Sequence, residues 1–225
     1  MIKESDFVML SDWNFWLSIA TAFIAIVAIL LSYIQIRLSN KHHLFDERIE
    51  NFITATGLIK LYQDNKNHLK DWEKEDGFID VEFHFGYMTN NSYLVQDINL
   101  IRNPLQNPYQ KEFLVKLEDI KNVATKSEFL FKGKNGILLK DFIFCYQELL
   151  FTMYQYGQIE IKIREINDEE SKKTGKALTI KEAQKRIGEE RYRPMLRNAI
   201  KNLEQAYDQL VEKNVIEKIR KKTKF

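Results

Sequence analysis

Residues 14–36 read NFWLSIATAFIAIVAILLSYIQI, and no charged side chain occurs between Asp12 and Arg37. The stretch carries Phe15, Leu17, Ile19, Phe23, Ile24, Ile26, Val27, Ile29, Leu30, Leu31, Ile34 and Ile36. At roughly −0.3 to −0.6 kcal/mol each, these side chains favour bilayer insertion by about −4 to −7 kcal/mol, which the hydroxyls of Ser18, Thr21 and Ser32 do not offset. As a helix the segment is about 35 Å long, enough for a hydrocarbon core of roughly 30 Å. The run is too long for a signal-peptide core, and the residues before it are acidic rather than basic, so an uncleaved anchor is expected.

Both ends of the segment carry anchoring residues. Trp13 and Trp16 cluster at one end, Tyr33 and Arg37 at the other, which suits rings lodged at two headgroup levels. Lys3 stands alone beside Glu4, Asp6 and Asp12, whereas Arg37, Lys41 and Arg48 follow the segment. The positive-inside rule then keeps residues 37–225 in the cytosol and puts residues 1–13 outside, in a single-pass protein of the cell (inner) membrane. Ser18, Thr21, Ala25, Ala28 and Ser32, extended by Gln35, recur at helical spacing. Such a stripe lets a second helix approach closely, so a homo-oligomer in the lipid bilayer is expected.

The remaining chain has the composition of one soluble domain. Net charge is +2, too mild for a phosphate-backbone binder, and no nucleic-acid partner is expected. The single cysteine, Cys145, lies in the apolar run Phe142–Tyr146, as a small hydrophobe in a reducing compartment would.

Helical periodicity dominates. Phe45, Ile49, Phe52, Thr56 and Ile59 predict a packing seam on a helix that continues from the membrane segment. Phe113, Leu117, Ile120 and Ala124 mark a helix begun after Pro108 and broken by Gly133 and Gly136. Residues 137–156, apolar almost all round, predict the central helix. Asn91 and Ser92 predict the cap of a short helix before Pro104. Residues 167–177 read as an exposed loop, Thr179 with Glu182 as a capping box, and Leu196, Ile200, Leu203, Tyr207 and Leu210 as a closing helix. Alternation at Ile79, Val81, Phe83, Phe85 and Tyr87 predicts a strand, and Ile159, Ile161 and Ile163 are its candidate partner in a minor two-stranded ribbon. The fold expected is all-α: a transmembrane helix over 14–36, then a cytosolic bundle of four to six helices over 37–225.

Chemistry is sparse. His42 with Asp46 and His43 with Glu47 sit one helical turn apart, but two ligands do not close a zinc site. His84, between Phe83 and Phe85, lacks a nucleophile to serve. Phosphate loops, zinc-protease pairs and serine elbows are missing from the sequence. No catalytic, metal or cofactor residue is assigned, and no enzyme is expected. Lys218, Arg220, Lys221, Lys222 and Lys224 form a basic end that could touch anionic lipid.

Phe45, Asp46, Glu47, Arg48, Ile49 and Phe52, together with Phe129, Leu130 and Phe131 ahead of a Tyr- and Leu-rich helix, resemble uncharacterised bacterial membrane-anchored helical proteins over residues 14–155. The stretch from Asp71 to Pro108 departs from that pattern. The resemblance implies an anchored helical domain and supplies no catalytic residues. Two functions follow as expectations. One is a self-associating tether that presents an interaction or sensor domain to an unknown cytosolic protein partner. The alternative is a membrane-perturbing effector of bacterial antiviral (abortive-infection) defence.

Overall fold

From Ile36 onward no proline or glycine interrupts the chain until Gly57, so nothing stops a helix begun upstream. In the computed structural model, which describes residues 4–74, 78, 80–94 and 109–223, helix α1 spans Glu4–Lys74. It is followed by α2 (Val81–Met88), α3 (Tyr109–Leu130), α4 (Lys134–Thr174), α5 (Ile180–Ile187), a 3₁₀ turn (Glu189–Arg191), α6 (Arg193–Glu212) and α7 (Val215–Thr223). The chain is all-α, with no strand among the described residues. It divides into two compact units, Met1–Glu47 and Arg48–Phe225.

In the first unit every described side chain from Trp13 to Leu44 is exposed. The helix is long and apolar enough to cross a membrane, and its most apolar window buries nothing. Within it the Ser18 hydroxyl donates to the Asn14 carbonyl at 2.9 Å, Thr21 to Leu17 at 2.8 Å and Ser32 to Ala28 at 2.8 Å. Each polar group is satisfied by its own helix.

The second unit is built on α4, whose Leu139, Phe142, Ile143, Tyr146 and Leu149 are fully buried. Against it lie α3, through the expected Phe113, Leu117, Ile120 and Ala124, and α6, through Leu196, Ile200, Leu203, Tyr207 and Leu210, all buried. The seam on α1 departs from expectation. Its buried face is Asn51, Ala55, Leu58, Tyr62, Leu69 and Trp72, while Ile49 stays exposed and Phe52 packs at the flank on Phe131. The seam is rotated by about one residue because Asn51, a polar side chain, takes an inward position. Its amide donates to the Val123 carbonyl at 2.9 Å, and its carbonyl accepts from Ser127 at 2.7 Å, so burial leaves nothing unpaired. Tyr62 meets Phe142 and Tyr207 ring to ring, tying α1 to α4 and α6.

Both members of the expected ribbon are helical. Residues 81–88 form α2, and Ile159, Ile161 and Ile163 lie inside α4. The period-2 reading fails because Val81, Phe85 and Met88 also stand at helical spacing, and these three are the buried ones; Phe83 is 59% exposed. Tertiary packing decides: the Trp72 ring stacks on His84 at 4.4 Å, and the Tyr146 hydroxyl donates to the Met88 carbonyl at 2.6 Å. The expected loop at 167–177 is likewise mostly helix. Helix α4 runs on to Thr174 and stops at Gly175 in the left-handed region (φ 72°), leaving the segment exposed but ordered as helix.

Glycine also acts differently from expectation at the α3–α4 corner. Gly133, at φ 82°, makes the turn, but Gly136 lies inside the first turn of α4. A side chain there would strike the Phe131 carbonyl, so the residue is small to let the corner close. The capping box at Thr179 and Glu182 forms in both directions, and Pro194 sits in the first turn of α6. The Asn91 side chain accepts from the amides of Tyr93 (3.1 Å) and Leu94 (2.7 Å), as a cap would; the helix expected to follow lies outside the described residues from 95 onward.

Candidate functional site

The small-residue stripe of the N-terminal apolar segment, Ser18, Thr21, Ala25, Ala28, Ser32 and Gln35, is helical and exposed along its length. Its three hydroxyls are already spent on backbone carbonyls within the helix, so close backbone approach, rather than hydrogen bonding by serine or threonine, is what the face offers a neighbour. Trp13, Trp16, Tyr33 and Arg37 are exposed, with Phe15 and Trp16 in edge-to-face contact at 6.0 Å. Trp13 and Tyr33 are separated by about 30 Å of helix, the thickness of a hydrocarbon core.

The basic end is sorted by α7. Val215 and Ile219 are buried, which turns Lys218, Arg220 and Lys221 outward. Arg220 faces Glu217 at 3.4 Å, which removes part of its charge from any lipid contact. Lys224 and the side chain of Lys222 lie outside the described residues.

Among histidines, His42 and His43 are exposed. His84 is half-buried between Trp72 and Phe83, and burial first, then the charge of His68, lowers its pKa. His68 stacks on Tyr87 at 5.5 Å. Among the described residues no group of three or more histidine, cysteine or acidic side chains gathers to hold a metal. Burial pushes the half-buried Cys145 thiol up to about 11, so the reactive thiolate is scarce at neutral pH.

The most structured polar site was not singled out from sequence. Tyr156, Glu160, Ile163 and Asn167 follow one another at four, three and four residues along α4, so one helix face presents them in a row. That face, with Phe78 and with Ala183 and Gln184 of α5, lines a half-open cavity of about 180 Å³. Behind it, Glu189 is completely buried and accepts from the Tyr156 hydroxyl and, at 2.8 Å, from Arg193 Nε. Arg193 also donates to the Gln184 side-chain oxygen at 3.3 Å. Burial, then the adjoining Glu189 carboxylate, drives the Tyr156 pKa far up, while the hydrogen bond to Glu189 raises that of Arg193.

Glu160 lies near the start of α2, where Asp80 offers no side-chain cap, and the backbone N–H groups of Val81 and Asp80 favour its charged form. Burial nevertheless dominates and lifts its pKa to about 7, against the opposing pull of Arg164, 3.8 Å away. Asn167 lines the cavity, while its side-chain oxygen is buried away from it with no hydrogen-bond partner. The signal for this site was present in the sequence as the Tyr156–Asn167 spacing. It was hidden by reading residues 159–163 as strand and 167 onward as loop.

No protein-family model, curated protein or solved structure matches this chain.

Proposed function

We propose that the chain is a single-pass membrane protein of the cell (inner) membrane, oriented with residues 1–13 outside. In this reading it self-associates and presents residues 37–225 as a non-catalytic cytosolic interaction or sensor domain. One observation carries it: the apolar segment from Asn14 to Ile36 stays exposed along a helix while a complete core forms elsewhere from other residues. In water that surface would be a severe aggregation hazard; in lipid it is matched to its solvent. The hydroxyls of Ser18, Thr21 and Ser32, which close on their own helix, support the same environment, since they need no water as a partner. Lys218 and Lys221, exposed on α7, are available for anionic lipid.

Ala25→Ile combined with Ala28→Ile tests the assembly. The pair widens the small-residue face while raising hydrophobicity, so insertion is expected to survive and crosslinking in membranes to fall. Unchanged crosslinking would remove the stripe as an interface. Growth is measured alongside: loss of crosslinking together with loss of expression toxicity would favour the membrane-perturbing effector over the tether.

A further inference from the structure

Residues 126–140, KSEFLFKGKNGILLK, form the corner between α3 and α4 and hold four lysines against one acid. That acid, Glu128, pairs with Lys140 at 3.0 Å, while Lys126, Lys132 and Lys134 are exposed. Among these cations stands Phe129, 75% exposed, more than any other large apolar side chain described. The exposure does not come from a loose loop. Its neighbour Phe131 packs on Phe52, and Arg48 Nε donates to the Leu130 carbonyl at 3.2 Å.

The place of this corner in the second unit selects its partner. Asn51 bonds to the Val123 carbonyl and Arg48 to that of Leu130, so α3 runs antiparallel to α1 and ends where the chain enters the unit. Near the other end of α1, Glu73 faces Arg197 at 3.8 Å, which places the first turn of α6 and its half-exposed Met195 there. The entry end follows the apolar segment closely: Ile36 to Arg48 is twelve residues, about 18 Å of helix. An acidic protein would satisfy the lysines but would need a pocket for the ring. An anionic bilayer takes both at its surface, the ring at headgroup level and the cations by charge.

We propose that the α3–α4 corner makes a second, peripheral contact with the membrane, with Phe129 set among anionic phospholipid headgroups and Lys132 and Lys134 facing their phosphates. The contact rests on the membrane-anchored reading, so the experiment scores the anchor separately. The full chain is reconstituted into vesicles of phosphatidylcholine with about one third phosphatidylglycerol, with the photoreactive p-benzoylphenylalanine replacing Phe129 or, as a control, Met195. After irradiation, adducts are identified by mass spectrometry, and protease protection of residues 14–36 reports the anchor in the same sample. Phospholipid adducts are expected at position 129 at least about fivefold above position 195. They should fall at least about fivefold in pure phosphatidylcholine and in a Lys132→Gln, Lys134→Gln protein whose circular dichroism is unchanged. With residues 14–36 still protected, equal labelling at the two positions, labelling indifferent to lipid charge, or adducts at 129 to a second copy of the chain would overturn the contact and leave the anchor standing. Loss of protection would overturn both.

Discussion

At Gly136 a single methyl group decides whether α3 and α4 can meet. A Cβ there would collide with the Phe131 carbonyl and come within 2.9 Å of the Ser127 carbonyl, both backbone atoms that cannot swing aside. Gly136→Ala is therefore expected to cost about 3 kcal/mol, read as a lower midpoint in chemical denaturation with an unchanged slope. Glu160 controls stability through protonation. Its carboxyl, at 4.5 when solvated and about 7 when folded, holds its proton more tightly in the folded chain. Its contribution is thus complete below pH 4.5 and is lost as pH rises through 7, a change on the order of 3 kcal/mol. His84 works in the opposite sense: its lowered pKa means that stability is lost as pH falls below 6.5. Glu160→Gln should raise the melting temperature at pH 8 relative to wild type and leave only the acid-side loss from His84. A variant whose melting temperature falls in parallel with wild type from pH 5 to pH 8 would show that another group titrates.

Helices differ in how openly their sequences announce them. The faces of α3 and α6 were legible because their apolar residues repeat at three and four with polar residues between, and the centre of α4 because its run was too long for a strand; Leu149 is fully buried as that reading requires. Helix α2 was not legible, since Val81, Phe83, Phe85 and Tyr87 fit a strand and a helix equally until Trp72 and Tyr146 supply the surface that chooses. The seam on α1 was displaced for a related reason. Asn51 counts as polar in any pattern, yet Ser127 and Val123 make it an interior residue. The candidate site stayed hidden because Glu189 joins Tyr156 only through tertiary packing, 33 residues apart in the chain. Helix α5 is the short element whose stability is most local. Thr179 and Glu182 close its capping box, so Thr179→Ala is expected to cost about 1 kcal/mol and to speed hydrogen exchange in α5 while α6 keeps its protection.

For the molecule as a whole the membrane reading makes the sharpest demand. A reporter fused after Phe225 is expected to be active only in a cytosolic form, and a tag before Met1 to be reachable from outside; periplasmic activity of the C-terminal fusion would reverse the orientation. The Tyr62–Tyr207 contact carries a separate consequence, for biosynthesis. The two rings lie roughly 145 residues apart, so the apolar face of α1 is made long before α6 exists to cover it. At about 5–20 residues per second, the Tyr62 ring waits roughly 7–30 s on the ribosome for its α6 partner. A nascent chain in that condition is a client for holdase chaperones, and a cell depleted of them should degrade this protein during translation rather than after it.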